Sequence, residues 1–337
     1  MTRSLTLVRA CTRADEGGSP TAVVIEPAAV EGASADGDRG RTRSPGGTTP
    51  REGAPGDDAR HPRVPQLTDA ERWQPRDPPL TDAERRRIPL RAGASHAVFV
   101  SPLPPDATGA PAHALRFFTT EGELPACGHG TIAAIARLAH RTGTFDGVLR
   151  TTDRVFAARA RPAPGGLIHA EFAPGPVELR PPDPAAYGLV LPALGLGGRP
   201  AGPARVASVG RPRLLLPLRG RAELASLAPD FRRLRAACDA LGLLGVYAYA
   251  GPDRDGRAAA RMFAPSIGVD EDIANANSTA CLAAHLAGPV PLSLTVDMGD
   301  SLGHPATLTA TARTGPGGPR VRLGGTAVVG PPLPPRL

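Results

Sequence analysis

The clearest pattern in the chain is a change of period. Arg116-Phe117-Phe118-Thr119-Thr120 reads as a strand, residues 121–130 as a tight turn, and Thr131-Ile132-Ala133-Ala134-Ile135-Ala136-Arg137-Leu138-Ala139 as a helix that is apolar on nearly every side. A helix apolar all round is a buried one. Gly128 and Gly130 flank His129 in the turn, so the backbone can bend sharply and approach a ligand closely. The first helical turn then offers free N–H groups and the positive end of the helix dipole. A carboxylate or phosphate fits there, beside the Cys127 thiol and the His129 imidazole. Taken alone, the stretch is also compatible with a plain Gly-rich turn before a core helix.

The pattern recurs. Arg261-Met262-Phe263-Ala264-Pro265 restates residues 116–120, and Thr279-Ala280-Cys281-Leu282-Ala283-Ala284-His285-Leu286-Ala287 restates 131–139. Upstream, the apolar runs 97–100 and 246–249 correspond, as do the strand pairs 5–9 with 21–25 and 204–208 with 213–217; downstream, the turns Pro164-Gly165-Gly166 and Pro316-Gly317-Gly318 correspond. A repeat of this length signals two duplicated domains rather than a solenoid. Placing Thr131 on Thr279 pairs His129 with Asn277 and Cys127 with Asn275. These are the only two asparagines in the chain. Either can cap a helix, and a cap needs only one.

In chain order, residues 1–30 read as two strands around a turn. Residues 31–79 hold almost no large apolar side chains and read as a disordered insertion that buries no core. Within it Leu67–Arg72 recurs as Leu80–Arg85, a duplicated helix start with Thr68 or Thr81 as cap and Trp73 between the copies. His96 opens the strand over 97–100. Strands are expected over 149–160 and 167–173, a Pro-rich crossover at 181–187, a capped amphipathic helix from 228 to 241, and strands at 290–296, 308–312 and 320–323, with a loop at 297–305 and a frayed tail after Gly330. The halves are then 1–182 and 183–330, with 331–337 as the tail.

Composition narrows the chemistry. The chain of 337 residues has 39 basic residues, all Arg. The absence of Lys removes Schiff-base chemistry, pyridoxal phosphate anchoring and a Walker lysine. Pro and Gly, 40 each, point with the Arg to a coding bias, so the formal charge of +7 argues weakly for nucleic acid. No basic stretch interleaves with aromatics, and no nucleic-acid partner is expected; attraction of small anions is the milder reading. The four cysteines have no metal spacing, and the eight histidines contain no H-x-x-x-H pair. No metal or cofactor is called for. With no signal-length or membrane-length apolar run, a cytoplasmic protein without a membrane partner is expected.

Cys-Gly-His-Gly before a buried helix, a duplicated half, and Met262-Phe263-Ala264-Pro265 followed by Glu271-Asp272 and Cys281-Leu282-Ala283-Ala284-His285-Leu286 resemble the PhzF-like (phenazine biosynthesis-like) family of the diaminopimelate epimerase superfold. The resemblance spares only 31–79 and the tail. It implies an α/β (α+β) fold of two pseudo-symmetric halves, each a strand barrel around a central buried helix, with the site in the cleft between them. It also implies a cofactor-independent isomerase that moves a proton on a small unsaturated amino or hydroxy acid, in secondary-metabolite or antibiotic biosynthesis; a homodimer is compatible with it. The family's Gly-His turn falls on Gly128 and His129. Its Glu-Asp-Pro-x-Thr-Gly-Ser loop falls on 271–277, where Asp272 matches but Ile273, Asn275, Ala276 and Asn277 depart. The family's catalytic Glu falls on His96, and its Gly-Arg-Pro-Ser loop becomes Gly303-His304-Pro305-Ala306.

His96, Asp272, His129 and Cys127 are therefore the expected catalytic residues. Gly128, Gly130, Asn275, Asn277 and Ser278 are the expected binding residues for a small carboxylate substrate. A histidine can shuttle protons near neutrality, and Cys127 is the alternative base. Two other readings remain: a two-thiol racemase or epimerase, which lacks a second Cys at position 275, and a non-catalytic binding relative.

Overall fold

In the computed structural model the described residues are 3–27 and 79–334. The expected insertion apart from Pro79, with its 67–72 repeat copy, Thr68 and Trp73, lies outside the described residues, as do 335–337 of the expected tail.

The first half runs β1 (Ser4–Thr12), β2 (Ser19–Ile25), α1 (Asp82–Arg91), β3 (His96–Leu103), β4 (Ala112–Phe118), β5 (Glu123–Leu124), α2 (Gly128–Thr142), β6 (Phe145–Arg150), β7 (Val155–Ala163) and β8 (Leu167–Phe172). The second runs β9 (Glu178–Arg180), α3 (Ala185–Ala193), β10 (Arg205–Val209), β11 (Arg211–Leu218), α4 (Arg221–Ala225), α5 (Phe231–Ala240), β12 (Val246–Ala250), β13 (Arg257–Ala264), β14 (Val269–Asp272), α6 (Ala276–Leu286), β15 (Leu292–Met298), β16 (Ala306–Gly315) and β17 (Gly318–Leu333).

Strand pairing repeats with the sequence. β2 lies parallel to β3, β3 antiparallel to β4 and β4 parallel to β6, just as β11 lies parallel to β12, β12 antiparallel to β13 and β13 parallel to β15. The long β17 joins the halves. Its start pairs with β16, its middle with β8 and its end with β1, which closes the first ring of strands.

The strands of each half wrap its apolar helix. In α2 every residue from Gly128 to Ala139 is buried, packed among β1, β2, β7, β8 and β17. Ile132, Ile135 and Leu138, each shut away from water, contribute about 1.5–3 kcal/mol apiece by the usual transfer scale. The outer faces are apolar too. On β3, Val98 and Val100 face the α2 core while Ala97 and Phe99 face α1 through Ile88. Helices α3, α4 and α5 cover the matching outer face of β10–β13. Strands buried on both sides read as unbroken apolar runs, which is why 97–100 and 246–249 stood out.

The expected caps form. Thr81 and Glu84 make a reciprocal capping box at α1, and Asp230 caps α5. Three expectations need correction. The strand expected over 149–160 is two strands, because Thr151 N–H bonds the Arg154 carbonyl and turns the chain between β6 and β7. Helix α3 starts inside the Pro-rich crossover, where the Asp183 carboxylate accepts the Ala185 N–H. The tail does not fray at Gly330, since Pro332 and Leu333 pair with Thr6 and Leu5. β9 precedes the expected boundary at 182/183 yet pairs with β10 of the second half.

Candidate active site

The two buried helices meet at their N-termini. A Cβ placed on Gly128 would lie 2.4 Å from the Ala276 Cβ and 3.3 Å from the Asn277 nitrogen, so glycine is what lets the helix starts touch. Cys127 caps α2, its Sγ accepting from Gly130 N–H at 3.4 Å, and Asn275 caps α6, its Oδ1 accepting from Ser278 N–H at 2.9 Å. The fourth amide of each helix bonds conventionally, Thr131 N–H to the Cys127 carbonyl and Thr279 N–H to the Asn275 carbonyl. Among the described residues, that leaves the N–H groups of Gly128, His129, Ala276 and Asn277 without partners at one spot. Two dipole ends and these donors form an anion seat.

A cavity of ≈ 220 Å³ opens over this seat, lined by His96, Cys127, Gly128, His129, Asp272, Asn275 and Asn277 together with Asp153, Arg154, Arg211 and Arg213. Seven of the expected site residues are thus gathered in one place. Two expected binding residues are not in its lining. Gly130 has its N–H taken by Cys127, and Ser278 is fully buried with its hydroxyl against the Met262 sulfur. Asn275 is chiefly a cap and a brace: its Nδ2 donates to Asp272 Oδ2 at 2.9 Å. Asn277 has no side-chain hydrogen bond among the described residues and lines the cavity.

The two imidazoles stand edge to face with ring centroids 4.5 Å apart. His96, the first residue of β3, has Nδ1 2.8 Å from the Ser95 hydroxyl. Burial, then the neighbouring His129, pushes its pKa down against the pull of Asp272, so His96 is neutral. His129 goes the other way. Burial opposes its charge, but Cys127, Asp272 and the Ala274 carbonyl more than offset that and hold its pKa above the ordinary value. Its Nδ1 donates to the Ala274 carbonyl at 3.2 Å and its Nε2 faces Cys127 Sγ at 3.4 Å. Two neighbouring groups pushed apart in this way have the complementary protonation states that a base and an acid need.

The fold also brings the ligand atoms of His96, Cys127 and His129 within 4.8 Å of one another, a set able to hold a metal ion that linear spacing did not reveal. Sequence reasoning also missed Arg154 and Arg213. With every basic residue an arginine, composition hid them. Only the place of Arg213 on a strand matched to β2 was available as a signal.

Two buried helices, each wrapped by strands and meeting at their N-termini over one cavity, define a protein of the diaminopimelate epimerase-like fold. Residues 73–330 match the family described as phenazine biosynthesis-like protein. The chain belongs to that family and is an enzyme of its isomerase and epimerase class. It is 30% identical over 230 residues to an uncharacterized isomerase of Deinococcus radiodurans, covering 64% of this chain and 74% of the relative. It is 32% identical over 213 residues to the trans-2,3-dihydro-3-hydroxyanthranilate isomerase of Pseudomonas aeruginosa, covering 59% and 69%. In fold it is similar to a PhzF-family phenazine biosynthesis protein of Bacillus anthracis, with TM-score 0.70 at 15% identity over 99% of both chains. It is also similar to a probable proline racemase of Agrobacterium radiobacter K84 with bound carbonate, with TM-score 0.55 at 15% identity over 100% and 93%. Among the described residues no helix is long and apolar enough to cross a membrane.

Proposed function

We propose that this enzyme moves a proton between carbons of a small unsaturated amino or hydroxy acid without a cofactor, with His96 as the base. The observation that carries the reading is the His96–His129 pair, 4.5 Å apart, at the anion seat of two helix starts. The substrate carboxylate rests on the amides of Gly128, His129, Ala276 and Asn277. Neutral His96 takes a proton from a nearby carbon. Charge then builds toward the carboxylate, where the amides and the His129 imidazolium stabilise it. His96 returns the proton to a different carbon, so the double bond moves and no net proton is gained or lost. Asp272, held by the Ala274 N–H and Asn275 Nδ2, orients the pair. A place in secondary metabolism belongs to the same reading and is supported by the family's description.

The test uses trans-2,3-dihydro-3-hydroxyanthranilate, the substrate in the P. aeruginosa relative's name, together with a panel of related unsaturated acids, in deuterium oxide. One shuttling base should place label at a single carbon. His96→Ala should lower exchange by roughly 10²–10⁴-fold, the usual contribution of a general base, and Cys127→Ser should be far milder. If Cys127→Ser abolishes exchange while His96→Ala spares it, the base is the thiol.

A further inference from the structure

Arg213, on β11, is 2% exposed, and it is the largest fully buried side chain among the described residues. Its Nη1 lies 3.3 Å from Cys281 Sγ and its Nη2 donates to the Arg211 carbonyl at 2.9 Å, while its buried Nε has no partner among the described residues. Neither contact carries negative charge. The carbonyl is neutral, and burial pushes the Cys281 thiol up, keeping it protonated. Two other largely covered guanidiniums do have carboxylate partners: Arg85 meets Glu26 at 2.9 Å and Arg261 meets Glu271 through two bonds of 2.8 Å. Buried Arg137, which donates to the Thr6 hydroxyl, lies away from the cavity lining. A buried cation without a counter-charge is costly. Arg213 borders the same cavity as His96 and His129, so the place where its counter-charge can arrive is the ligand site.

Strand register strengthens the point. In the first half His96 stands beside Thr21 across parallel β2 and β3. In the second half Leu214 stands beside Val246, so Arg213 stands beside Gly245, the counterpart of His96. A Cβ on Gly245 would lie 2.0 Å from the Phe263 carbonyl oxygen, so no side chain fits there. The repeat thus puts a base on one side of the cavity and a guanidinium on the other. Arg154 supports the same wall. It lies against Gly210, whose φ of +91° suits glycine and whose Cβ would meet Arg154 Nη2 at 2.8 Å.

We infer that Arg213 anchors a second anionic group of the ligand, so that the substrate is a small dicarboxylic acid held at both ends. Resting on the proposed proton transfer, this assigns one carboxylate to the helix-start amides and the other to the Arg213 guanidinium, with the reacting carbons between them beside His96. A planar carboxylate matches the fork of the guanidinium.

The test measures binding without turnover. Acetate, propionate, malonate, succinate, glutarate and inorganic phosphate are titrated calorimetrically into the wild-type chain, Arg213→Met and Arg213→Lys. In the wild type at least one dicarboxylate should bind roughly 10-fold or more tighter than the monocarboxylates, as a desolvated charge-assisted contact warrants. Arg213→Met should erase that preference, leave monocarboxylate affinity unchanged and keep the melting temperature, because an unpaired charge has been replaced by an apolar side chain. Arg213→Lys should keep part of the preference. The inference is overturned if the wild type shows no preference for two carboxylates, if phosphate outbinds every dicarboxylate, or if Arg213→Met lowers the melting temperature sharply; the first two outcomes need no variant to fold. Binding that depends on Arg213 in a protein showing no label exchange would sink the proposed reaction and leave this inference standing. Exchange without a dicarboxylate preference would do the reverse.

Discussion

Gly128→Ala tests whether the touching helix starts are what builds the site. The added Cβ would sit 2.4 Å from the Ala276 Cβ, where ordinary contact begins at 3.4 Å. Neither atom is the end of a flexible chain. Both are fixed to buried helices, so the helix starts must separate by about 1 Å, an overpacking that costs about 1–3 kcal/mol. The same movement splays the amides of Gly128, His129, Ala276 and Asn277. A misplacement of about 1 Å at a catalytic centre lowers turnover on the order of 100-fold. Ala276→Gly removes the opposing Cβ and leaves the new methyl 3.3 Å from the Ala276 Cα, a tight but tolerable fit. The double variant should therefore recover most of both losses, with a coupling energy of about 1–2 kcal/mol, within the range for residues in contact. Urea unfolding gives the stabilities, and acetate titration with label exchange gives the site. Wild-type stability in Gly128→Ala, or additive effects in the pair, would refute the contact.

Four further outcomes follow from the structure. The pKa of His129 is raised from 6.5 to about 9 in the folded state, so its stabilising protonation is fully present below its unfolded value near 6.5 and is lost as pH rises through about 9; exchange activity should fall over the same alkaline range, and His129→Gln should remove that limb. The pKa of His96 is depressed by burial, so the stability tied to it is present above about 6.5 and is lost as pH falls below that; His96→Phe should flatten the acid side of a melting-temperature profile, and an unchanged profile would count against a buried neutral imidazole. Glu271→Leu leaves Arg261, with an 88% covered side chain, without its bidentate partner and should cost about 3–5 kcal/mol in urea unfolding, with Arg261→Met/Glu271→Leu recovering most of it; a single-variant loss under about 0.5 kcal/mol would show the pair to be dispensable. Chelator treatment should leave label exchange intact while added Zn²⁺ inhibits by seizing His96, Cys127 and His129, with Cys127→Ser weakening the inhibition; loss of exchange on chelation with recovery on zinc addition would replace the cofactor-free reading with a metal-dependent one.

What the sequence revealed depended on how local the signal was. The buried helices, their strands and the repeat were legible because burial on all sides leaves an unmistakable apolar run, seen at 131–139 and again at 279–287. The Thr81 and Asp230 caps were legible because capping is read within one turn. Helix α3 was not, because its Pro-rich entry looks like a linker and its hydrogen-bonded start at Asp183 is a single contact. The reach of β17 was hidden for the opposite reason: its partners Leu5 and Thr6 lie at the other end of the chain. In the site, motif position found His96, His129, Asp272 and the Asn-Ala-Asn loop. It could not tell that Ser278 turns to Met262, that the Gly130 N–H is spent on a cap, or that Arg213 is a buried cation among many surface arginines.

The duplication also bears on why the proposed chemistry is one-sided. Binding can use both halves, because both helix starts expose the same backbone amides and neither needs a particular side chain to do so. Reaction cannot. The position of His96 in the first half is Gly245 in the second, where a backbone oxygen 2.0 Å from any Cβ forbids a base. The position of Cys127 is Asn275, committed to capping α6 and bracing Asp272. Cys281, the cysteine of the second helix, faces Arg213 and stays a protonated thiol through burial. A racemase built on two opposed thiols therefore has no second thiol at this cavity, where Cys127 is the one lining cysteine among the described residues. If His96 is the base, as proposed, a proton taken from one carbon is returned by the same group, and the product is an isomer with a shifted double bond rather than an inverted centre.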